Sequence, residues 1–165
     1  MSDFETDYQF MMQNEDRSQV HAIVPDAPPG AHAISGINSA AYPKQFAAIA
    51  SLPQAERGPA VEQFYRTEFF GKYQAQLSDP VAERWLDQAV NGGPVTATRL
   101  LQQAVGTVPV DGTWGSATVT ACNAADQLAL VTAFQAARRQ HYLDIVAKHP
   151  EDAQYLPGWL ARAAK

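Results

Sequence analysis

"QNEDRSQVHAIVPDAPPGAHAISGIN", residues 13–38, decides how this chain is read. It breaks from an alanine-rich helical pattern near the start of the sequence. Upstream, Phe4, Tyr8, Met11 and Met12 recur at helical spacing, so residues 3–15 are expected to form an amphipathic helix capped by Asp3. Glu15 closes that helix. A carboxylate there meets the negative end of the helix dipole, which raises its pKa when water is also excluded. Within the loop, "HAIV" and "AISGI" are the good strand candidates, with Pro28, Pro29 and Gly30 as the turn between them. A small β-hairpin is therefore expected directly after a helix that ends in an acid.

Downstream the pattern is helical. "PKQFAAIASL" and "GPAVEQFYRTEFF" come first, the latter with Pro59 near its start and Gly71 after its end. "DPVAERWLDQAVN" is assigned Asp79 as cap and Pro80 in the first turn, with Gly92 and Gly93 beyond it. "PVTATRLLQQAVG" ends at Gly106, and "TVPVDGTWG" is a turn-rich connector. A short helix capped by Ser116, a long helix closed by Pro150, and a C-terminal turn or helix in "PGWLARAAK" complete the chain. Helices this short must pack together to be stable.

Composition narrows the function. The chain has 165 residues, 46% hydrophobic and 18% charged, which suits one globular domain with a real core. The net charge is −5, and the 12 Lys and Arg are scattered, with only Arg138 and Arg139 adjacent. Duplex binding needs a basic stripe, so nucleic acid is not an expected partner. A sugar polymer remains open, because sugars are held by hydrogen bonds and aromatic faces. Cys122 is the single cysteine, which excludes an internal disulfide and a multi-cysteine zinc site. No apolar run is long enough to span a bilayer.

Three groups of residues could carry chemistry. Glu15, shielded at a helix end beside a hairpin, has the features of a general acid; an ordinary surface carboxylate paired with Arg17 fits the same spacing. His21, Asp26 and His32 are chemically suited to zinc, but their spacing matches no metal motif, and loop hydrogen bonding is the plainer role. Neither a metal nor a cofactor is expected. In "LLQQAVGTVPVDGTWGSATV", Asp111 and Gly112 are expected to be structural. Trp85, Trp114, Trp159 and the pairs at 64–65 and 69–70 could stack on sugars, though most should be core.

The order of a helix ending in Glu, then "DAPPGAHAISGI", "FYRTEFF", "RWLDQAVNGG", "LLQQAVG", "DGTWGSAT", "RRQHYLDIVAKHP" and "GWLARA" resembles glycoside hydrolase family 108 over nearly the whole chain. These are the N-acetylmuramidases of prophages and of secretion-activating proteins. "DQAVNGG", "LLQQAVG", "DGTWG" and "GWLARA" in this order are the most specific part. The N-terminal motif departs further. Glu15 matches the family's catalytic acid, but Asp16, Arg17 and Ser18 replace Gly-Gly-Tyr. Pro29, Gly30, Gly36 and Ile37 match, whereas Pro28, Ala31 and Ala33 stand where Asp, Gly and Thr are usual.

The resemblance implies a mainly α, lysozyme-like helical domain with a small β-hairpin near the N-terminus. Residues 1–90 would form the catalytic part, and 91–165 a peptidoglycan-binding helical part packed on it. It implies a muramidase that cleaves glycan strands between N-acetylmuramic acid and N-acetylglucosamine, with Glu15 as general acid. The hairpin would wall the glycan cleft. Only Glu15 carries over from the family as catalytic; Asp26 is taken as the second catalytic group ahead of His32 and Ser35, a single essential Glu is the other option, and His32, Ser35, Asn38, Tyr65 and Asn91 are taken as substrate-binding residues. A silent murein-binding or secretion-associated protein and a metal-dependent murein peptidase are the alternatives. No signal peptide is readable, so a monomer released by a holin-type pore or a dedicated export route is expected, acting on the wall in the periplasm or outside.

Overall fold

Helix α1, Phe4–Glu15, buries Phe4, Tyr8, Met11 and Met12 on one face, as their spacing requires. The computed structural model describes residues 1–165. Asp3 caps α1 by accepting from the Thr6 amide at 3.0 Å. The Asp3 amide in turn donates to Asp79 Oδ1 at 2.7 Å, which ties the start of α1 to the start of α4, Asp79–Gly92.

The loop after α1 forms three antiparallel strands rather than one hairpin: β1, Ile23–Asp26; β2, Ala31–Ile34; and β3, Ile37–Asn38, in that order across the sheet. Asp26 pairs with Ala31 around the Pro28-Pro29-Gly30 turn. The added strand arises because "AISGI" folds back on itself. Ser35 and Gly36 both have positive φ, at 48° and 81°, and form a tight turn between β2 and β3.

The remaining helices are α2, Pro43–Ala50; α3, Arg57–Tyr65; α5, Pro94–Val105; α6, Ser116–Ala124; α7, Gln127–Lys148; and α8, Leu156–Ala163. α3 opens two residues before Pro59 and runs on as a wide π-type turn over Arg66–Phe70. Two expected caps are not caps. Asp79 is the first residue of α4, with its carboxylate given to Asp3. Ser116 is the first residue of α6, behind Gly115, and makes no capping bond. Gly106 ends α5 in the left-handed region, at φ 68°.

One apolar cluster of 25 buried residues runs from Phe4 on α1 to Ala137 on α7. Trp85 lies at its centre against Trp114 and Tyr73, and Phe64, Tyr65 and Phe69 pack beside α1. Both halves of the chain therefore share a core. Gln102 fixes the "DGTWG" connector: its Nε2 donates to Asp111 Oδ1 at 2.9 Å, and its Oε1 accepts from the Gly112 amide at 2.8 Å. A side chain at Gly112 would also meet Val95 and Arg99 at 2.8 and 3.0 Å, so this motif is structural.

Candidate active site

α1 delivers Glu15 to the floor of a cleft between the sheet and the C-terminal end of α4. The cleft encloses about 630 Å³, and Glu15, Asp26, Ser35, Asn38 and Asn91 all line it. Five of the seven residues selected from sequence thus come together. His32 is exposed on β2 and is not part of the cleft wall. Tyr65 is buried; it donates from its hydroxyl to the Ser35 carbonyl at 2.7 Å and so holds the β2–β3 turn from beneath. Burial, with the Glu15 charge nearby, pushes its phenol well up.

Glu15 is 15% exposed at its side chain. Burial raises its pKa above the usual carboxylate range. The Arg162 charge and hydrogen bond pull it down, while Asp87 and Asp26 push it up, and the balance is a raised value. Glu15 Oε1 lies 2.5 Å from Arg162 Nη2. Arg162 is on α8, and it also pairs with Asp87 Oδ1 at 2.8 Å and donates to the Asp87 carbonyl at 3.1 Å. Asp87 therefore takes part of the guanidinium's charge from Glu15.

Beneath this pair the network continues. Asp87 and Arg138 form a fully buried ion pair between α4 and α7. Arg138 Nε donates to Gln88 Oε1 at 3.0 Å, which also accepts from the Tyr142 hydroxyl at 3.0 Å. Asn91 Nδ2 donates to that same hydroxyl at 2.9 Å, returning the network to the cleft. Asp87, Arg138 and Arg162 are the site residues that sequence reading misses. Their one signal is polar residues on the buried face of α4, in "RWLDQAV", and no periodicity names their distant partners.

The opposite wall is the sheet. Asp26, at the end of β1, accepts from the Ala27 amide at 2.8 Å and from Asn38 Nδ2 at 2.7 Å. Asn38 Oδ1 accepts from the Ala40 and Ala41 amides, so the pair is held by backbone on both sides. Asp16 organises the loop between Glu15 and the sheet. It accepts from the amides of Val20 and His21 at 3.1 and 2.7 Å and from Ser35 Oγ at 2.8 Å. Burial opposes its ionisation, but these donors hold its carboxyl below the usual range. Since Ser35 gives its proton to Asp16, His21 Nδ1–H donates to Ser35 Oγ, at 2.8 Å. This is a structural lattice rather than a nucleophile with a base, because the serine proton is taken by the carboxylate directly. His21 is buried in this lattice while His32 faces solvent, and no three His, Cys, Asp or Glu side chains are grouped to hold a metal ion.

Residues 96–164 match the family described as "Predicted Peptidoglycan domain". The structure of Brucella abortus SagA matches with a TM-score of 0.66 at 21% identity, over 98% of this chain and 93% of that one. The helical fold is thus shared with a solved protein, and the C-terminal part of the chain is similar to sequences of that peptidoglycan-domain family. Comparison with curated protein sequences finds no significant match. No helix is long and apolar enough to cross a membrane.

Proposed function

We propose that this protein is an N-acetylmuramidase that hydrolyses peptidoglycan glycan strands, with Glu15 as general acid. The observation that carries the reading is a desolvated carboxyl with a raised pKa on the floor of an open cleft, in a lysozyme-like fold whose C-terminal sequence is peptidoglycan-associated. A general acid must hold its proton near the working pH and release it to the glycosidic oxygen in the transition state. Burial supplies the first condition. A strand that fills the cleft excludes more water and adds to the same effect. Proton transfer leaves Glu15 anionic, and Arg162 then stands 2.5 Å away to stabilise that charge. Arg162 thus acts on the product of the transfer more than on its start.

Asp26 is the proposed second group. Its two hydrogen bonds fix the carboxylate on the cleft wall, where it can steady positive charge on the sugar or orient water. Asn38 acts through Asp26, and Asn91 is placed to hold a sugar substituent. The wall acts as partner polymer, reached by export or lysis rather than from within a membrane.

One observation favours a second reading. The Glu15–Arg162 ion pair stabilises the ionised carboxylate, as expected of a protein that binds murein without cutting it. Mass spectrometry of sacculi treated with the full-length protein separates the two. A new reducing end at muramic acid is expected. Intact glycan would support the binder, and cut stem peptides with intact glycan would overturn both.

A further inference from the structure

The Glu15 cleft does not end at Asn91. It opens into a second hollow of about 600 Å³. Pro25, Asp26, Ala27 and Asn91 line both, so the two share a rim. The far wall of the second hollow comes from the C-terminal part of the chain: His141, Tyr142 and Ile145 on α7, with Tyr155 and Trp159 beyond it. Trp159 is stacked on Tyr142, with ring centroids 5.3 Å apart and planes 21° apart, and Tyr155 lies tilted beside it at 5.7 Å. Tyr155 lines the hollow while 53% exposed, so aromatic surface remains free for a ligand.

We propose that this hollow is a sugar subsite that holds an N-acetylated hexosamine of the same glycan strand, next to the units flanking Glu15. The proposal rests on the muramidase or murein-binding reading of the cleft and names where the strand continues. Three features select a neutral sugar over the other part of peptidoglycan, the stem peptide. The wall carries three aromatic side chains, Tyr142, Tyr155 and Trp159, which suits the apolar face of a pyranose. Asn91 reaches the rim and offers amide chemistry to hydroxyl and N-acetyl groups. The only charged side chain in the lining is Asp26, an anion, and no Lys or Arg is present to receive the carboxylates of a stem peptide. Burial lowers the His141 pKa, with Lys148 acting the same way against Asp144. The charged form of the ring is thus disfavoured, which suits a neutral ligand.

The test uses the full-length Glu15→Gln variant, so that binding is read without turnover. Calorimetry with N-acetylglucosamine oligomers of two to six sugars gives affinity against length. Affinity should rise with length, and Trp159→Ala in that background should end the rise early and weaken the hexamer by about five- to tenfold. Tyr155→Ala, an exposed change, should act in the same direction and serves where Trp159→Ala does not fold. Equal length dependence with and without Trp159 and Tyr155 would overturn the subsite, as would a free stem peptide displacing the hexamer from it. Neither result depends on wild-type turnover. Failure of the wild type to cut glycan strikes the muramidase reading alone.

Discussion

Gly36 shows how one residue serves both fold and site. It has φ 81°, a region that L side chains adopt at a cost, and it lies against the acid. A Cβ there would stand 2.8 Å from Tyr65 Oη, 2.8 Å from Val90 and 2.9 Å from Glu15 Oε2. Gly36→Ala is expected to cost about 1–3 kcal/mol in stability and to displace the Glu15 carboxylate. Thermal melts and glycan turnover measured together check this; an unchanged melt with unchanged turnover would mean that the turn yields freely. The glycine was visible in the sequence, but its reason was not. "AISGI" is too short to show two strands, and only the folded packing reveals what Gly36 touches. Glu15 was legible for a different reason: the spacing of Phe4, Tyr8, Met11 and Met12 places the helix and therefore its last residue. His32 falls outside the cleft lining because one strand position decides which side of a sheet a residue faces.

At the scale of elements, α8 reaches back across the chain to complete the site that α1 begins. Sequence patterns located α4, α5 and α7 through their proline starts, glycine stops and apolar stripes. They could not pair Arg162 with Glu15 and Asp87, because a long-range ion pair leaves no periodic mark. The pairing has a measurable consequence. Arg162 favours the charged form of Glu15, so Arg162→Gln should raise the Glu15 pKa further. A general acid works while protonated and fails as pH rises through its pKa. The alkaline limb of the pH–rate profile should therefore move to higher pH in Arg162→Gln, with a lower maximal rate from lost stabilisation of the anion. A limb that stays in place would show that Glu15 is not the group titrating there.

For the whole molecule, the shared core and the Asp87–Arg138 pair make the two halves one working unit. The same economy leaves a buried carboxyl, Asp7, under the α1–α4 contact. It is fully buried, accepts from Gln74 Nε2 at 2.8 Å, and burial pushes its pKa up to about 7. The unfolded chain loses this proton near 3.8 and the folded one near 7. This contribution to stability is therefore complete below about pH 4 and is lost as pH rises through about 7. Asp7→Asn removes that dependence, and its melting temperature should fall less than the wild type's between pH 4 and 8. A parallel fall in both proteins would show that Asp7 ionises in the fold without penalty. The fold accepts this buried carboxyl while bringing Glu15 to the cleft floor. The role of Glu15 is tested by glycan turnover of Glu15→Gln, with circular dichroism to verify folding. If Glu15 is the general acid, the variant stays folded and its rate drops at least about 100-fold. Turnover near the wild-type rate by that folded variant would remove Glu15 from the acid role.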